Sequence, residues 1–347
     1  MKTFYSPVHL EHDPQVQFEG GQLLPAVEIP VRAERVKAEV KKRRIGPIAQ
    51  PVAFEDSAIL RVHDAGLVAF LGEAYDEWIR RYGKHAPAAI PSAWPAHGLR
   101  GGLHDGRQGD IEARLGSYAF SADTPIMKGT WAAAREAVNV VLSAAAAVHA
   151  GEKAAFALTR PPGHHAASDV FGGFCYLNNV AIAAQWFVDA GLKPAVLDVD
   201  YHHGNGTQAI FYKRADVFFC SIHADPSYAY PHFLGFADER GEGPGEGANL
   251  NLPLPEGTDW PRYEEALMKA IAAVNAYGPD VVLVSLGLDT YIEDPIALFR
   301  LKAADYLRMG AHLAELHRPA LFVFEGGYCF DALGELAVNV LEGFQGA

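Results

Sequence analysis

From about residue 150 onward, short apolar runs rich in β-formers alternate with longer segments whose apolar positions recur at helical spacing. The runs Ala154–Thr159, Ala195–Val199, Val217–Ile222, Val281–Leu286 and Ala320–Glu325 predict strands. Segments at about 178–190, 261–277, 302–316 and 333–344, with another at 131–149 ahead of the first run, predict helices. Strands apolar at every position are usual where both sheet faces are buried, so the alternation predicts an α/β fold with a largely parallel sheet between helices. Two stretches break the pattern. Residues 83–110 hold six Gly, three Pro and three His, and residues 235–257 contain GEGPGEG and PLPEG; both predict long loops, which in a compact domain are usually functional. No repeat or linker is visible, so residues 1–347 are expected to form a single domain.

Composition narrows the partners. Twenty-nine Lys and Arg against 42 Asp and Glu leave a net charge of −13. Nucleic acid and anionic membrane surfaces are therefore poor partners, and a cationic ligand would be attracted. Hydrophobic residues at 50% and charged ones at 20% describe a folded globular chain. Cys175, Cys220 and Cys329 are odd in number and far apart, which supports neither a disulfide framework nor a cysteine zinc site. The first residues, MKTFYSPVHLEHD, lack an apolar core of signal-peptide length, and no run of 18 apolar residues occurs. A cytoplasmic protein is expected.

Chemistry concentrates in Ala195–Gly206, AVLDVDYHHGNG. Asp198, Asp200 and His202 follow one another at a period of two, so their side chains leave the same face where a buried strand ends, while His203 points the other way. In open parallel sheets, ligands bind beyond the carboxyl ends of the strands. Two carboxylates buried this close repel unless a cation offsets them, and Asp with His suits zinc or a similar divalent ion with a position left for water. The bland alternative is a motif that caps a strand and ties down a loop. Other strand ends weigh against it: VVLVSLGLD brings Asp289, ALFVFEGGY brings Tyr328, and RPPGHH brings His164 and His165 to the same sheet edge. Such a set suits metal-assisted hydrolysis, in which a histidine takes the proton of a water acidified by the metal, a tyrosine hydroxyl binds the developing oxyanion, and a second histidine protonates the leaving amine. Signatures of Ser or Cys nucleophiles and of phosphate-binding loops are absent.

The motifs RPPGHHA, FGGFCYLNN, LDVDYHHGNGTQ, SIHADP, SLGLDTYIEDP and EGGY, in that order, resemble the histone deacetylase superfamily over nearly the whole chain. FYSPVHLEHDP, EGGQLLPAVEIPVRAE and the segment Asp110–Trp131 more closely resemble bacterial acetylpolyamine amidohydrolases within it. The resemblance implies the arginase/deacetylase fold, with a mainly parallel, eight-stranded sheet flanked by helices. It implies zinc on Asp200, His202 and Asp289, with iron(II) or cobalt(II) as alternatives, and catalytic roles for His164, His165 and Tyr328. It also implies aromatic tunnel walls at Phe174 and Tyr230, and a structural potassium held by Asp198, Ser221 and the carbonyl of Ile222 together with Asp200 and His202. Asn205 stands where some eukaryotic members have Asp; it can still accept the imidazole N–H of His165 but brings no charge. Cys175, beside Phe174, reads as a packed small hydrophobe.

An aromatic tunnel suits an unbranched acetylated amine. By resemblance, the inserted segment 83–124 builds a homodimer and narrows the entrance, and its acids Glu112 and Asp123 meet the distal ammonium of the substrate. The expected activity is hydrolysis of acetylputrescine, acetylcadaverine or longer acetylpolyamines to acetate and free amine. Two alternatives stand beside it: a protein or peptide acetyl-lysine deacetylase of the same superfamily, and a non-catalytic sensor of acetylated amines.

Overall fold

The computed structural model describes residues 1–95 and 106–347. Its strands are β1 (Lys2–Phe4), β2 (Val16–Glu19), β3 (Gln22–Pro25), β4 (Ile48–Ala49), β5 (Ala154–Ala157), β6 (Pro194–Asp198), β7 (Phe218–Ala224), β8 (Asn249–Leu254), β9 (Val281–Leu286) and β10 (Ala320–Phe324). Eight of them form one sheet in the order β4-β1-β5-β10-β9-β6-β7-β8, every pair parallel, and β2 and β3 form a separate antiparallel hairpin. All five runs expected to be strands are strands. Three of them stop one or two residues early, at Ala157, Asp198 and Phe324, because there the chain leaves the sheet to build the site.

Alternate positions of each central strand feed two cores. Ala195, Leu197, Val282, Val284, Phe322 and Phe324 face one side, packed with the helices Val31–Lys42, Trp260–Tyr277, Ala303–Ala314 and Phe330–Gly346. Val196, Val281, Leu283, Leu321 and Val323 face the other, packed with Ala65–Tyr82, Thr130–His149 and Asn179–Asp189. Each fully buried Val, Leu or Phe among them stabilises the fold by about 1.5–3 kcal/mol, so both faces hold the sheet rigid beneath the site. Thr130–His149 is long and apolar enough to match a membrane span by composition, although its charges are too interspersed for an unbroken apolar run; most of it is buried in the second core.

The glycine-rich segment 235–257 is not all loop. It contains β8, an edge strand that pairs only with β7 and therefore tolerates Pro253, whose missing N–H no neighbour requires. Likewise 83–124 includes the helix Ile111–Tyr118, capped by the Asp110 carboxylate on the N–H of Ala113. The stretch 96–105 of that segment lies outside the described residues.

Candidate active site

The polar groups gather where β5, β6, β9 and β10 end. In register, Asp198 pairs with Ser221 of β7 on one side and Ser285 of β9 on the other, so the end of β6 lies between its neighbours' hydroxyls. Beyond it, backbone amides lock the carboxylates. Asp198 Oδ1 accepts the N–H of Asp200 at 3.1 Å, Asp200 Oδ1 that of His202 at 2.9 Å, and Asp289 Oδ1 that of Tyr201 at 2.9 Å. The Gly326 N–H donates to Asp200 Oδ2 at 2.9 Å. A Cβ at Gly287 would lie 2.1 Å from that same oxygen, which is why the turn after β9 needs glycine there.

Asp200, His202 and Asp289, all buried, each bring one ligand atom within 4.8 Å of the others. His202 Nδ1 is 3.0 Å from Asp289 Oδ2 and 3.3 Å from Asp200 Oδ1. Burial and the Asp200 charge raise the Asp289 carboxyl, whereas His164 and His202 hold that of Asp200 low against its own burial. Against the desolvation of its burial, the two acids push His202 up to about 10. The pocket thus draws positive charge into itself, and its donors, two carboxylate oxygens and one imidazole nitrogen, fit a divalent cation.

The two tandem histidines differ. His164 Nδ1 lies 3.0 Å from Asp198 Oδ2; against desolvation, Asp200 and Asp198 raise it to about 10, so it is a cation. His165 Nδ1 lies 2.6 Å from Asn205 Oδ1, and burial together with the neighbouring His164 and His202 holds it well below 6.5, so it is neutral. His165 faces the cavity, and the Glu325 carboxylate fixes the turn that carries the pair by accepting the N–H groups of Gly163 and His164. Tyr328 lies against the same cavity, and its N–H donates to Asp294 Oδ2 at 2.7 Å.

The cavity, about 470 Å³, is walled by Phe174, Tyr230, Tyr201 and Tyr228 with His165, His202 and Tyr328. The Tyr230 ring stands edge-on to His165 at 5.1 Å, and Phe174 edge-on to Tyr328 at 5.7 Å. Phe174 has φ 65°, held there by its N–H on Thr124 Oγ1. Gly173 before it packs so close to the His165 ring that a Cβ would come within 2.4 Å.

Of the two candidate recognition acids, one lines the cavity and the other does not. Asp123 borders the cavity, but it is no free loop acid: its Oδ1 accepts from Ser121, Thr124 and the N–H of Gly173, and so it anchors the Phe174 wall. Burial raises its carboxyl above the usual range. Glu112 is exposed on its helix, takes the Tyr82 hydroxyl and is absent from the cavity wall, because that helix packs on Ala65–Tyr82 instead. Ser221, expected near a cation, bonds His223 Nδ1 at 2.8 Å, and Cys175 is buried without exposure, as a small hydrophobe should be.

Arg32 escaped the reading of motifs. It is fully buried, its guanidinium 4.6 Å over the Tyr328 ring, donating to the carbonyls of Gly327 and Glu325 and to Glu28. The i,i+4 pair Glu28 and Arg32 was the available signal.

A family model, the histone deacetylase domain, matches residues 26–344. The chain belongs to the histone deacetylase family. This family member is a hydrolytic enzyme acting on linear amides, and its sheet is that of the family fold. It is 48% identical over 347 residues to acetylpolyamine amidohydrolase 2 of Pseudomonas aeruginosa, covering 100% of this chain and 99% of that one. It is 42% identical to the acetylpolyamine amidohydrolase of Mycoplana ramosa, covering all of both. The crystal structure of the acetylpolyamine aminohydrolase from Burkholderia pseudomallei superposes with a TM-score of 0.93 at 37% identity, over 99% of this chain and 98% of that one.

Proposed function

We propose that this protein hydrolyses the amide of acetylated polyamines, with zinc held by Asp200, His202 and Asp289. The observation that carries the reading is a neutral imidazole, a buried phenol and an Asp/His/Asp cluster converging on one aromatic-walled cavity, in a chain whose full-length relatives are named acetylpolyamine amidohydrolases. A bound divalent ion supplies Lewis acidity to the amide carbonyl and to water. The protein supplies the rest. Asn205 fixes the His165 tautomer so that Nε2 is free to take a proton from the attacking water and hand it to the leaving amine. The Tyr328 hydroxyl donates to the oxygen that gains charge, and the Arg32 guanidinium beneath its ring holds the phenol in place and favours that charge. His164, a cation tied to Asp198, offsets the carboxylates behind the site. Phe174 and Tyr230 are among the aromatic walls of the cavity, which suits an unbranched chain. Oxygens of Asp198, Ser221 and the Ile222 carbonyl, together with those of Asp200 and His202, would hold a structural monovalent cation such as potassium; the register of β6 and β7, which sets Ser221 beside Asp198, supports this. Glu112 reaches substrate only if a second copy brings it to the cavity, as the homodimer built on 83–124 would.

The test is a panel of acetylated diamines and acetyl-lysine peptides, assayed after chelation and restoration of zinc. Acetylated diamines should be turned over far faster; equal or reversed preference would favour a protein deacetylase and reject this reading.

A further inference from the structure

Tyr328 carries its hydroxyl on a stretch of chain with little stiffness of its own. It follows Gly326 and Gly327, and Gly327 stands at φ 117°, a backbone conformation that residues with a side chain rarely adopt. Glycine is needed there, since a Cβ on Gly327 would come within 2.7 Å of Leu333 and 2.9 Å of Leu288. The turn is anchored from outside, by the loop that follows β9. Asp294, 6% exposed, accepts the Tyr328 N–H on Oδ2 at 2.7 Å and the Ile296 N–H on Oδ1 at 3.1 Å. Its own N–H donates to the Tyr291 carbonyl at 3.0 Å. Both carboxylate oxygens are thus committed to backbone amides, and the Asp/His/Asp cluster that could hold a metal forms without Asp294. The same loop carries Asp289 near its start and the cavity-lining Ile296 and Leu298 near its end. One buried carboxylate therefore ties the main chain of the phenol to the segment that presents a candidate metal ligand.

We propose that Asp294 is a positioning residue for the hydrolysis: it fixes the main chain of Tyr328 against the loop of Asp289 and so holds the hydroxyl in register with the metal cluster. The proposal rests on the reading of Tyr328 as the donor to the oxygen that gains charge. Arg32 at 4.6 Å and Phe174 at 5.7 Å pack the ring itself. Ring packing of that kind tolerates sliding, whereas a hydrogen bond to the main chain fixes both distance and direction. Displacing a reacting group by about 1 Å costs about 10²-fold in rate. Asp294 lies outside the cavity wall, and the donor it places acts on charge that develops during the reaction, so its effect belongs in kcat more than in KM.

The experiment is a double-mutant cycle on an acetylated diamine, with Asp294→Ala made in the wild type and in Tyr328→Phe, each loaded with zinc and its metal content measured. Asp294→Leu, which fills the space of the carboxylate without its acceptors, takes the place of Asp294→Ala if that variant does not fold. In the wild-type background kcat should fall about 10²-fold with zinc content unchanged. In the Tyr328→Phe background, where the hydroxyl to be placed is gone, the same substitution should cost no more than about twofold. An equal fall in both backgrounds would show that Asp294 acts only through the fold of its loop and overturn the proposal. Loss of zinc would show that it serves Asp289 instead, and an unchanged kcat that it serves neither; both overturn the proposal while the reading of Tyr328 stands. If Tyr328→Phe alone keeps the wild-type kcat, the reading of the phenol fails and the proposal with it.

Discussion

Replacing Asn205 by Asp changes one group, an amide for a carboxylate of nearly the same shape, beside the proton acceptor. Asn205 Oδ1 sits 2.6 Å from His165 Nδ1, with both residues buried. Burial, with the neighbouring His164 and His202, holds His165 well below the usual imidazole range. Two unit charges about 4 Å apart interact by ~4 kcal/mol at an effective dielectric near 20, which at 1.36 kcal/mol per pKa unit raises His165 by about 3. The neighbouring histidine shows the direction: against the desolvation of its burial, the Asp200 and Asp198 carboxylates push His164 up to about 10. The assay is kcat/KM for an acetylated diamine from about pH 5 to about pH 10 with saturating metal. Asn205→Asp should shift the acidic limb upward by about 3 pH units, with activity below the new limb falling about tenfold per pH unit. A limb that stays in place, at native rate, would refute His165 as the neutral base.

Two further outcomes follow from the same structure. Tyr328→Phe keeps the ring that Arg32 covers, so thermal stability and metal content should hold while kcat falls about 10²–10³-fold; an unchanged kcat would remove the hydroxyl from the mechanism. His12, His63 and His223 are buried, and desolvation lowers them to about 3, about 4 and about 4, against about 6.5 in the unfolded chain. The unfolded state therefore binds more protons below pH ~6.5, so stability present above that pH is lost as pH falls toward about 4, by about 3 kcal/mol for His63 alone. His63 Nε2 accepts the Asn178 N–H, a bond that protonation breaks. Melting temperature should drop steadily over that window, and a flat profile would contradict the account.

Much of the candidate site is legible because its motifs are local. Asp198, Asp200 and His202 stand out by their closeness in sequence at the end of an apolar run, and central strands buried on both faces announce themselves as unbroken apolar runs. What escapes the sequence is contact over distance. β1 is three residues long, yet it pairs beside β5, 153 residues away, because the sheet supplies the hydrogen bonds and apolar cover that so short a segment lacks. Edge strand β8 alternates Asn249 and Asn251 with apolar residues and carries a proline, so its composition imitates a loop. Arg32 meets the carbonyl of Gly327 across 295 residues, and the i,i+4 pairing with Glu28, though local, does not announce that the guanidinium will be buried against the Tyr328 ring. Glu112 and Asp123 show the converse: alignment places an acid near a site, while its hydrogen bonds decide what it does. Asp123, for one, anchors the Phe174 wall through the N–H of Gly173.

The central claim is that Asp200, His202 and Asp289 hold one catalytic divalent ion. The direct measurement strips the protein with a chelator, verifies by elemental analysis that it is metal-free, and titrates zinc back while following acetate release from an acetylated diamine. The account predicts no turnover in the stripped protein and full recovery at one equivalent, with Asp289→Ala failing to retain the metal or recover. A metal-free protein that still releases acetate at the native rate would contradict it.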